Sequence, residues 1–503
     1  MNKEVNTLPQ ALKIIVDLQD ENAKLKCQIG DLNRQLDWFN RQIFGHKSEK
    51  LVDLSSNEVF LPGLEPEKNS AKSVPTETVH EHNRKKRETN GWNEIPENLP
   101  CEVTTVTDPK AEADGWTLIG YEESKRIARR EIRFFVKVIK RAKYANPNNP
   151  LDGIITAAMP DEPFGVEGAR TKFDSTFVTG IVVDKIENHL PLYRQSEIMS
   201  REGLPINRCT LQNLFTRAAK MLNPLYEVMK KLVDESPIVH GDETPVRLQQ
   251  PGQGKCKTAY IWVKMTAVGP PVVIFHFANS RSQEVAKELY KDYYGTIIRD
   301  QYVGYDVLPA EHAGCWAHVR RRFFEAEHAG YSEAKPFLIL IREMYACEYH
   351  ARSRAVGNES EKTLYAERRK VRKDSVKTVA EFFRLAEQIQ STEIPTSPLG
   401  KAVNYAIKQR RALELFLHDP RINIDNNPAE NVIRPIALGR KNWLFAGSEE
   451  GGANLAVLAS LAATCHRNNV NFRKWLNHVL IALPDTPISQ VGNLLPHLCN
   501  GDD

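Results

Sequence analysis

Three acidic residues, Asp242, Asp300 and Glu430, are placed where their carboxylates could converge. The first lies in an apolar stretch predicted as a β-strand, and the second ends another short predicted strand. Neighbouring strands would bring these two carboxylates together, and Glu430 would approach them from a later helix. Two-metal phosphoryl transfer needs such a set, because the ions activate the attacking oxygen and stabilise the leaving one. The expected ion is Mg²⁺ or Mn²⁺, since carboxylate oxygens suit hard cations.

Each of these acids also has an ordinary structural interpretation. Asp242 could cap a turn with Thr244, and Asp300 could be a common strand-end residue. Glu243 and Asp306 are nearby carboxylates that compete for the same assignment. Taken one at a time, the structural interpretations are favoured. Taken together and in this order along the chain, a catalytic and metal-binding triad is favoured.

The stretch around Glu430 is predicted to begin a helix. Asn427 suits the N-cap, Pro428 the first helical position and Glu430 the third, where a capping-box carboxylate belongs. Arg434 follows one turn later and could form an ion pair with Glu430. The alternative is that Glu430 binds a metal ion and is surrounded by side chains that suit phosphates.

Basic residues near these acids are candidates for contact with DNA phosphates. Arg434, Arg440 and Lys441 follow the predicted helix start closely, so we favour them. Arg320 and Arg321 lie in a basic predicted helix. They either face phosphate or simply form the solvated side of that helix.

Cys315 and His318 form a C-x-x-H pair, a spacing that can bind metal. No second pair accompanies it, so we favour a structural role for His318 where a strand meets a helix. The chain has eight cysteines, none of them in a C-x-x-C pair. This scattering argues against a disulfide framework or a zinc ribbon, and it suits a reducing cytosol.

The elements that position the acids follow the order of a ribonuclease H-like fold. The sequence predicts three antiparallel strands, a helix, a strand, a helix and a last strand that enters a basic helix. In this order, the strands that carry Asp242 and Asp300 are neighbours in the sheet. The predicted elements are strands at 238–248, 258–265, 272–278 and 295–300, a helix at 282–293, a strand-to-helix junction at 314–324 and a helical block at 331–418.

The N-terminal half carries the features expected of assembly and DNA binding. Apolar residues recur at heptad spacing from about 8 to 52, with Asn22 at one core position, which is typical of a parallel two-stranded coiled coil. One amphipathic helix packed on its own chain is the alternative. The basic run Arg84–Arg87 lies in a polar linker and could grip phosphates non-specifically. Two predicted helices around Gly203 resemble a helix-turn-helix, although any α-hairpin gives the same pattern.

The predicted architecture is therefore multidomain, of mixed α+β and α/β class. Its parts are a coiled-coil dimerisation helix (1–52), a polar basic linker (53–95), a small β module (96–160), a helical helix-turn-helix-like region (161–235), the first part of a ribonuclease H-like catalytic core (236–330), a helical insertion (331–420), the last part of the core with Glu430 (421–485) and a tail (486–503).

Bulk composition limits the classes of protein that the chain could be. At 503 residues it exceeds one hydrophobic core, and 41% hydrophobic with 26% charged residues is ordinary for a globular protein. A net charge of +4 permits nucleic acid as a partner without requiring it. The sequence shows neither a signal peptide nor an apolar run of the ~20 residues that a membrane helix needs. We therefore expect a soluble, cytoplasmic protein.

Several stretches along most of the chain resemble DDE transposases of the insertion sequence 66 family. The resemblance implies catalytic, metal-binding acids at Asp242, Asp300 and Glu430, divalent metal, a helical insertion before the Glu, and accessory proteins encoded by the same element. The matching stretches are Phe44–Lys50, Leu190–Arg194, Asp242–Val246, Asp300–Tyr305, Cys315–Arg321, Asp425–Glu430 and Gly439–Gly447.

The sequence also departs from the family pattern. Family members usually carry a zinc-binding module with two C-x-x-C pairs, but Asn146 and Asn149 stand where the second pair would be. No cysteine occupies the expected first-pair region, Ala111–Gly115. Asn supplies no thiolate, so no structural zinc is expected. The Asp-Gly-Tyr that follows the second acid in the family is Asp300-Gln301-Tyr302 here, which keeps the carboxylate.

These observations predict a transposase that cleaves the terminal inverted repeats of an insertion sequence and joins them to target DNA. Metal-activated water would nick the ends, and the freed 3′-hydroxyl would attack the target by in-line displacement. The predicted coiled coil would pair two subunits across two DNA ends. One alternative is a nuclease or resolvase on the same fold. The other is a catalytically silent DNA-binding dimer derived from a transposase.

Overall fold

The computed structural model describes Phe134, residues 143–145 and 154–156, and residues 173–499 apart from 251, 253 and 356–360. All its helices and strands belong to one compact unit. The predicted coiled coil (1–52), the linker (53–95) and most of the β module (96–160) lie outside the described residues. Within that module the structure contains an antiparallel pair, β1 (Lys143–Ala145) and β2 (Ile154–Thr156), with Tyr144 opposite Ile155.

Three helices precede the main sheet, as predicted for the region up to residue 235. The side chain of Asp174 accepts the backbone N–H of Thr176, and that of Asn207 accepts the N–H of Cys209, so the first and third helices each begin at a capping residue. Gly203 has φ +86° in the turn before the third helix, a conformation that favours glycine. These helices are α1 (Ser175–Ile186), α2 (Leu192–Arg201) and α3 (Arg208–Glu235).

A five-stranded mixed sheet lies at the centre of the described residues. Its strand order is β5-β4-β3-β6-β7, with β3, β4 and β5 antiparallel and with β6 and β7 parallel to β3. The predicted strands and the helix between β5 and β6 are confirmed, with shifted ends. The elements are β3 (Ile238–Gln249), β4 (Cys256–Thr266), β5 (Val273–Ala278), α4 (Gln283–Leu289), β6 (Thr296–Ile298) and β7 (Glu311–Ala313).

Two details of the predicted order are wrong. The connection from β6 to β7 contains one 3₁₀ turn, Val303–Tyr305, rather than a helix. The last strand ends at Ala313, because the backbone beyond it leaves the sheet: the N–H of Gly314 donates to the Ala412 carbonyl, and that of Trp316 donates to the Ile424 carbonyl. The segment around Cys315 is therefore the start of a helix rather than part of a strand.

The helical block predicted after the sheet is confirmed, and it packs on the first helix that follows β7. Trp316 of that helix packs edge-on to Phe382 and Phe416, with ring centroids 5.1 and 6.4 Å away. The remaining helices are α5 (Trp316–His328), α6 (Lys335–Ala355), α7 (Glu361–Thr392), α8 (Pro398–Lys408), α9 (Arg410–His418), α10 (Asn427–Trp443), α11 (Glu449–Arg467) and α12 (Phe472–Ala482).

The outer edge of the sheet is covered by α11. Among the described strands β5 pairs with β4 alone, so the N–H groups on its other side need partners from outside the sheet. The N–H of Phe275 donates to Ser460 Oγ at 2.7 Å, and the N–H of Val273 donates to Thr464 Oγ1 at 3.1 Å. Two side-chain hydroxyls of α11 thus accept hydrogen bonds from edge-strand N–H groups that a sixth strand would otherwise accept. Within the described ranges, no helix is both long enough and apolar enough to cross a membrane.

Candidate active site

The register of two parallel strands brings Asp242 and Asp300 beside each other. His240 of β3 is opposite Ile298, the last residue of β6. Asp242 lies two residues after His240, and Asp300 lies two residues after Ile298 in the same direction. Neighbouring strands are about 4.8 Å apart, so the second acid lies just past the carboxyl end of β6 and next to the first.

The electrostatic environment of Asp242 links all three predicted acids. Its pKa is raised from 3.8 to about 7, chiefly by burial, and further by the negative charge of Glu243 and then of Asp300 and Glu430. The backbone N–H of Glu243, which donates to Asp242 Oδ1 at 2.8 Å, acts in the opposite direction. Asp300 and Glu430 are therefore close enough to Asp242 for their charges to affect its pKa, although the three residues are far apart along the chain.

Glu430 lies in the first turn of α10, as predicted, but the cap differs by one residue. The N-cap is Asn426, whose carbonyl accepts the N–H groups of Ala429 and Glu430. Its side chain is used elsewhere, and Asp425 Oδ1 instead accepts the N–H of Asn427 at 3.2 Å. The prediction of Asn427 as the N-cap is wrong because the helix already begins at Asn427, which places Pro428 and Glu430 at its second and fourth positions rather than its first and third.

The predicted ion pair between Glu430 and Arg434 is also wrong. The side chains that approach the Glu430 carboxylate come from α5: His318 Nε2 lies 3.8 Å from Oε1, and Arg321 Nη2 lies 3.9 Å from Oε2. Arg434 is exposed. Helix α5 packs beside the start of α10, so Glu430 faces it rather than the next turn of its own helix.

A buried histidine, which the sequence did not single out, connects β3 to the start of α10. Asn423 Nδ2 donates to His240 Nε2 at 2.9 Å, so the ring proton is on Nδ1 and donates to Asn426 Oδ1 at 2.8 Å. Asn426 Nδ2 then donates to the Gly241 carbonyl at 2.8 Å. Burial lowers the pKa of His240 to about 4. A neutral imidazole therefore fixes the helix that carries Glu430 against the strand that carries Asp242.

The two competing carboxylates already have partners. Glu243 is buried, accepts the Tyr305 hydroxyl at 2.7 Å and forms an ion pair with Arg281. Burial, its largest cause, raises the pKa of Glu243. Asp306 is about half exposed and accepts Arg299 Nη2 at 2.5 Å. Neither carboxylate is as available to a ligand as Asp242 and Asp300 are.

The five candidate DNA-binding residues fall into two groups. Arg440 donates to Thr244 Oγ1 at 2.8 Å and to the Pro245 carbonyl at 2.5 Å, so its guanidinium joins α10 to β3. Arg320 is half-buried and lies over the Phe324 ring at 5.6 Å. The other three are exposed on the surface, namely Arg321, Arg434 and Lys441.

The C-x-x-H pair lies beside Glu430. The buried Cys315 Sγ, a ring nitrogen of His318 and a carboxylate oxygen of Glu430 all lie within 4.8 Å of one another. Cys315 Sγ also accepts the N–H of Asn426 at 3.2 Å. Burial raises the pKa of the Cys315 thiol to about 12, so the thiol is protonated at neutral pH in the metal-free protein.

Comparison with known protein families identifies the class of protein to which this fold and site belong. Residues 170–454 match the family model described as "Transposase IS66 family", and residues 460–497 match the "IS66 C-terminal element". Residues 31–103 match the model described as "Transposase C of IS166 homeodomain". The protein is thus a transposase by class, which implies that it processes nucleic acid and binds DNA. It belongs to the insertion sequence 66 (IS66) transposase family, as its sequence motifs indicate.

Three similar proteins come from Sinorhizobium fredii (strain NBRC 101917 / NGR234). "Uncharacterized protein y4qI" is 31% identical over 417 residues, which cover 78% of this chain and 75% of the relative. "Uncharacterized protein y4hP" is 25% identical over 92% of this chain and 88% of its own length. "Uncharacterized protein y4jD" is 32% identical over 63% of this chain and 64% of its own length. The similarity therefore extends well beyond the short motifs.

Proposed function

We propose that this protein catalyses metal-dependent cleavage at the ends of an insertion sequence and transfers the cleaved strands into target DNA. In this proposal Asp242, Asp300 and Glu430 hold divalent metal, Mg²⁺ or Mn²⁺, in a ribonuclease H-like core. The sheet order β5-β4-β3-β6-β7, with two parallel strands beside three antiparallel ones, supports that fold. Family membership supports the reaction, because DDE transposases generally use divalent metal.

One observation carries the assignment of the acids: the parallel register of β3 and β6 sets Asp242 beside Asp300. In keeping with this, the pKa of Asp242 is raised to about 7, by burial first and then by the negative charges of Glu243, Asp300 and Glu430. Like charges gathered in a half-buried position cost stability, and a protein keeps such an arrangement where a cation or a proton compensates it. The position at the carboxyl end of β6 also suits a site, because ligands bind there in open sheets with parallel strands.

The residues present fit a divalent ion. Glu430 Oε1 is buried and has no hydrogen-bond partner among the described residues, and carboxylate oxygens are the ligands that Mg²⁺ prefers. Bound divalent ions would activate the attacking oxygen and stabilise the leaving one. The chain itself would fix the carboxylates: the strand register holds Asp242 beside Asp300, and His240 holds α10 against β3.

Exposed cations near the acids would position the DNA. Arg321 lies 3.9 Å from Glu430, so a phosphate that approached the metal-binding carboxylates would meet its guanidinium. Arg434 and Lys441 are exposed on the helix that begins with Glu430. Recognition of the terminal inverted repeats would come from the N-terminal half, with the predicted coiled coil pairing two subunits and accessory proteins of the element assisting them.

The test is a cleavage and strand-transfer assay on DNA that carries the terminal inverted repeats of the element. Wild-type protein in Mg²⁺ is compared with Glu430→Gln, which keeps the side-chain size and removes the charge. The matched control is Glu450→Gln, a glutamate in the first turn of the next helix, α11. Folding is checked by circular dichroism, and DNA binding by fluorescence anisotropy.

We expect Glu430→Gln to fold and bind DNA but neither nick nor join it, whereas Glu450→Gln behaves as wild type. Wild-type activity in Glu430→Gln would show that Glu430 has only a structural role at the start of α10, and it would contradict the proposed catalytic triad. Cleavage without joining by the wild type would favour a nuclease or resolvase. DNA binding with no cleavage by the wild type would favour a silent DNA-binding dimer.

A further inference from the structure

Cys315, His318 and Glu430 combine three different kinds of metal ligand in one place. A thiol sulfur, an imidazole nitrogen and a carboxylate oxygen lie within 4.8 Å of one another. The sulfur and nitrogen donors distinguish this cluster from the oxygen-only set of Asp242, Asp300 and Glu430. Thiolate and imidazole ligands select zinc-like ions, whereas Mg²⁺ prefers oxygen.

We propose that Cys315, His318 and Glu430 form a binding site for a thiophilic divalent ion such as Zn²⁺. Three protein ligands with an open fourth position are the arrangement of a zinc site that remains accessible to water or another ligand. His318 and Glu430 are partly exposed, at 24% and 32% of their side chains, so an ion reaches the cluster from solvent. The cluster is separate from the zinc-binding module expected in the family between residues 96 and 160.

The spacing of the donors suits a tetrahedral ion. Bonds of about 2.0–2.3 Å from zinc to nitrogen, oxygen or sulfur place two ligands about 3.3–3.7 Å apart at the tetrahedral angle. His318 Nε2 and Glu430 Oε1 are 3.8 Å apart, slightly longer than this edge and too long for a hydrogen bond. A small side-chain movement is enough to bring both onto one ion.

The sulfur is held by the folded chain rather than left to a flexible loop. Cys315 is 3% exposed and immediately precedes α5, and its Sγ accepts the N–H of Asn426 at the start of α10. The neighbouring Trp316 donates its indole N–H to the Leu413 carbonyl at 2.9 Å, which fixes the first turn of α5. Such support is what keeps metal ligands oriented.

One ligand atom of the cluster lacks the partner that a buried polar atom normally has. Glu430 Oε1, which lies 3.8 Å from His318 Nε2, is buried and accepts no hydrogen bond among the described residues. Leaving a buried polar atom without a partner is unfavourable. A bound ion would satisfy this oxygen, and the Cys315 thiol would release its proton to solvent on binding.

The C-x-x-H spacing alone favours a structural role for His318, because no second ligand pair lies near it in the sequence. The missing ligand is Glu430, which belongs to another helix and comes close only in the folded chain. Because Glu430 is also a proposed catalytic ligand, a thiophilic ion would withdraw it from Asp242 and Asp300. This consequence rests on the proposed function, whereas binding itself does not.

The experiment is a Co²⁺ titration of the metal-free full chain, followed by absorption spectroscopy in the absence of DNA. Co²⁺ reports its ligands directly, through a thiolate charge-transfer band in the near ultraviolet and visible bands that reflect tetrahedral coordination. Zn²⁺ is expected to displace the bound Co²⁺, and millimolar Mg²⁺ is not. Cys315→Ser is compared with Cys465→Ser, which alters an equally buried cysteine in α11.

Cys315→Ser should abolish the charge-transfer band and weaken Co²⁺ binding at least about tenfold, while Cys465→Ser keeps both. Glu430→Gln is a second variant at a partly exposed position, and it should keep the charge-transfer band but weaken binding. Unchanged spectra in Cys315→Ser, or equal losses in Cys465→Ser, would overturn the proposal. If Cys315→Ser does not fold, the proposal is tested with Glu430→Gln and His318→Gln instead. Wild-type Co²⁺ affinity in both of these variants would overturn the proposed metal site.

A second arm separates this proposal from the proposed function. Micromolar Zn²⁺ should inhibit Mg²⁺-dependent cleavage by the wild type at least about tenfold more strongly than cleavage by Cys315→Ser. A wild type that binds Co²⁺ through Cys315 but never cleaves DNA would contradict the proposed function and leave the metal site standing. A wild type that cleaves DNA but does not bind Co²⁺ would contradict the metal site and leave the proposed function standing.

Discussion

Replacing Asp242 with Asn should make the metal-free protein more stable in alkaline solution. The Asp242 carboxylate is half-buried close to three other acids, so its ionised form is unfavourable in the folded state. Asn has nearly the same shape, and its side-chain oxygen still accepts the N–H of Glu243. The substitution therefore removes the charge and leaves the packing in place.

The pKa of Asp242 gives the sign and size of the effect. It is raised from 3.8 to about 7 in the folded protein, chiefly by burial and then by the charge of Glu243. Between these values the folded state holds a proton that the unfolded state has released, so stability falls as pH rises through this window. The difference of 7 − 3.8 = 3.2 units, at about 1.36 kcal/mol each, gives an upper limit of about 4 kcal/mol above pH 7.

The assay is denaturant unfolding in EDTA at pH 5 and pH 8.5, for wild type, Asp242→Asn and the control Asp374→Asn. Asp374 is an exposed residue of α7, so the control removes the same charge elsewhere. We expect Asp242→Asn to lose less stability than the wild type between the two pH values, by up to about 3 kcal/mol, because only the 7 − 5 = 2 units of the window above pH 5 fall between them. An Asp242→Asn variant as pH-dependent as the wild type, or less stable than it at pH 8.5, would refute the reasoning.

Three further substitutions test how the site is supported. His240→Leu should lower the free energy of unfolding by about 2–6 kcal/mol, because Asn423 and Asn426 each lose a buried partner, and a loss below about 1 kcal/mol would contradict this. Ser460→Ala should cost about 1–3 kcal/mol and speed hydrogen exchange of the Phe275 amide, with the exchange of unrelated amides as the control. Arg440→Gln should reduce stability by about 1–3 kcal/mol, whereas Lys441→Gln should leave stability unchanged and weaken DNA binding; the opposite pattern would contradict our assignment.

The sheet and the placement of the acids were predictable from sequence, because both depend on local patterns. Apolar runs with turn residues between them mark β3, β4 and β5. The strand order then made the strands of Asp242 and Asp300 neighbours, and the register agrees. A short connection without strong periodicity, such as Val303–Tyr305, gave no reliable signal, and the helix predicted there is wrong.

The contacts made by Glu430 were not predictable, because they come from distant parts of the chain. Local spacing predicted a partner one turn later at Arg434, but α5 brings His318 and Arg321 to the carboxylate instead. The helix also begins one residue earlier than local preference indicates, and the side chain of its N-cap, Asn426, binds the distant His240 instead of a backbone N–H of the helix. Local rules fail where tertiary packing supplies a competing partner.

Replacing Asp300 with Cys tests most directly our proposal that Asp242, Asp300 and Glu430 are metal ligands. A sulfur ligand binds Mg²⁺ poorly and accepts Mn²⁺ better, so a ligand position shows a change in metal preference. We expect Asp300→Cys to be inactive in Mg²⁺ and to regain cleavage at least about tenfold in Mn²⁺, with Asp242→Cys and Glu430→Cys tested alongside. Cleavage by Asp300→Cys at the wild-type rate in Mg²⁺, or the absence of Mn²⁺ rescue in all three variants, would contradict the claim.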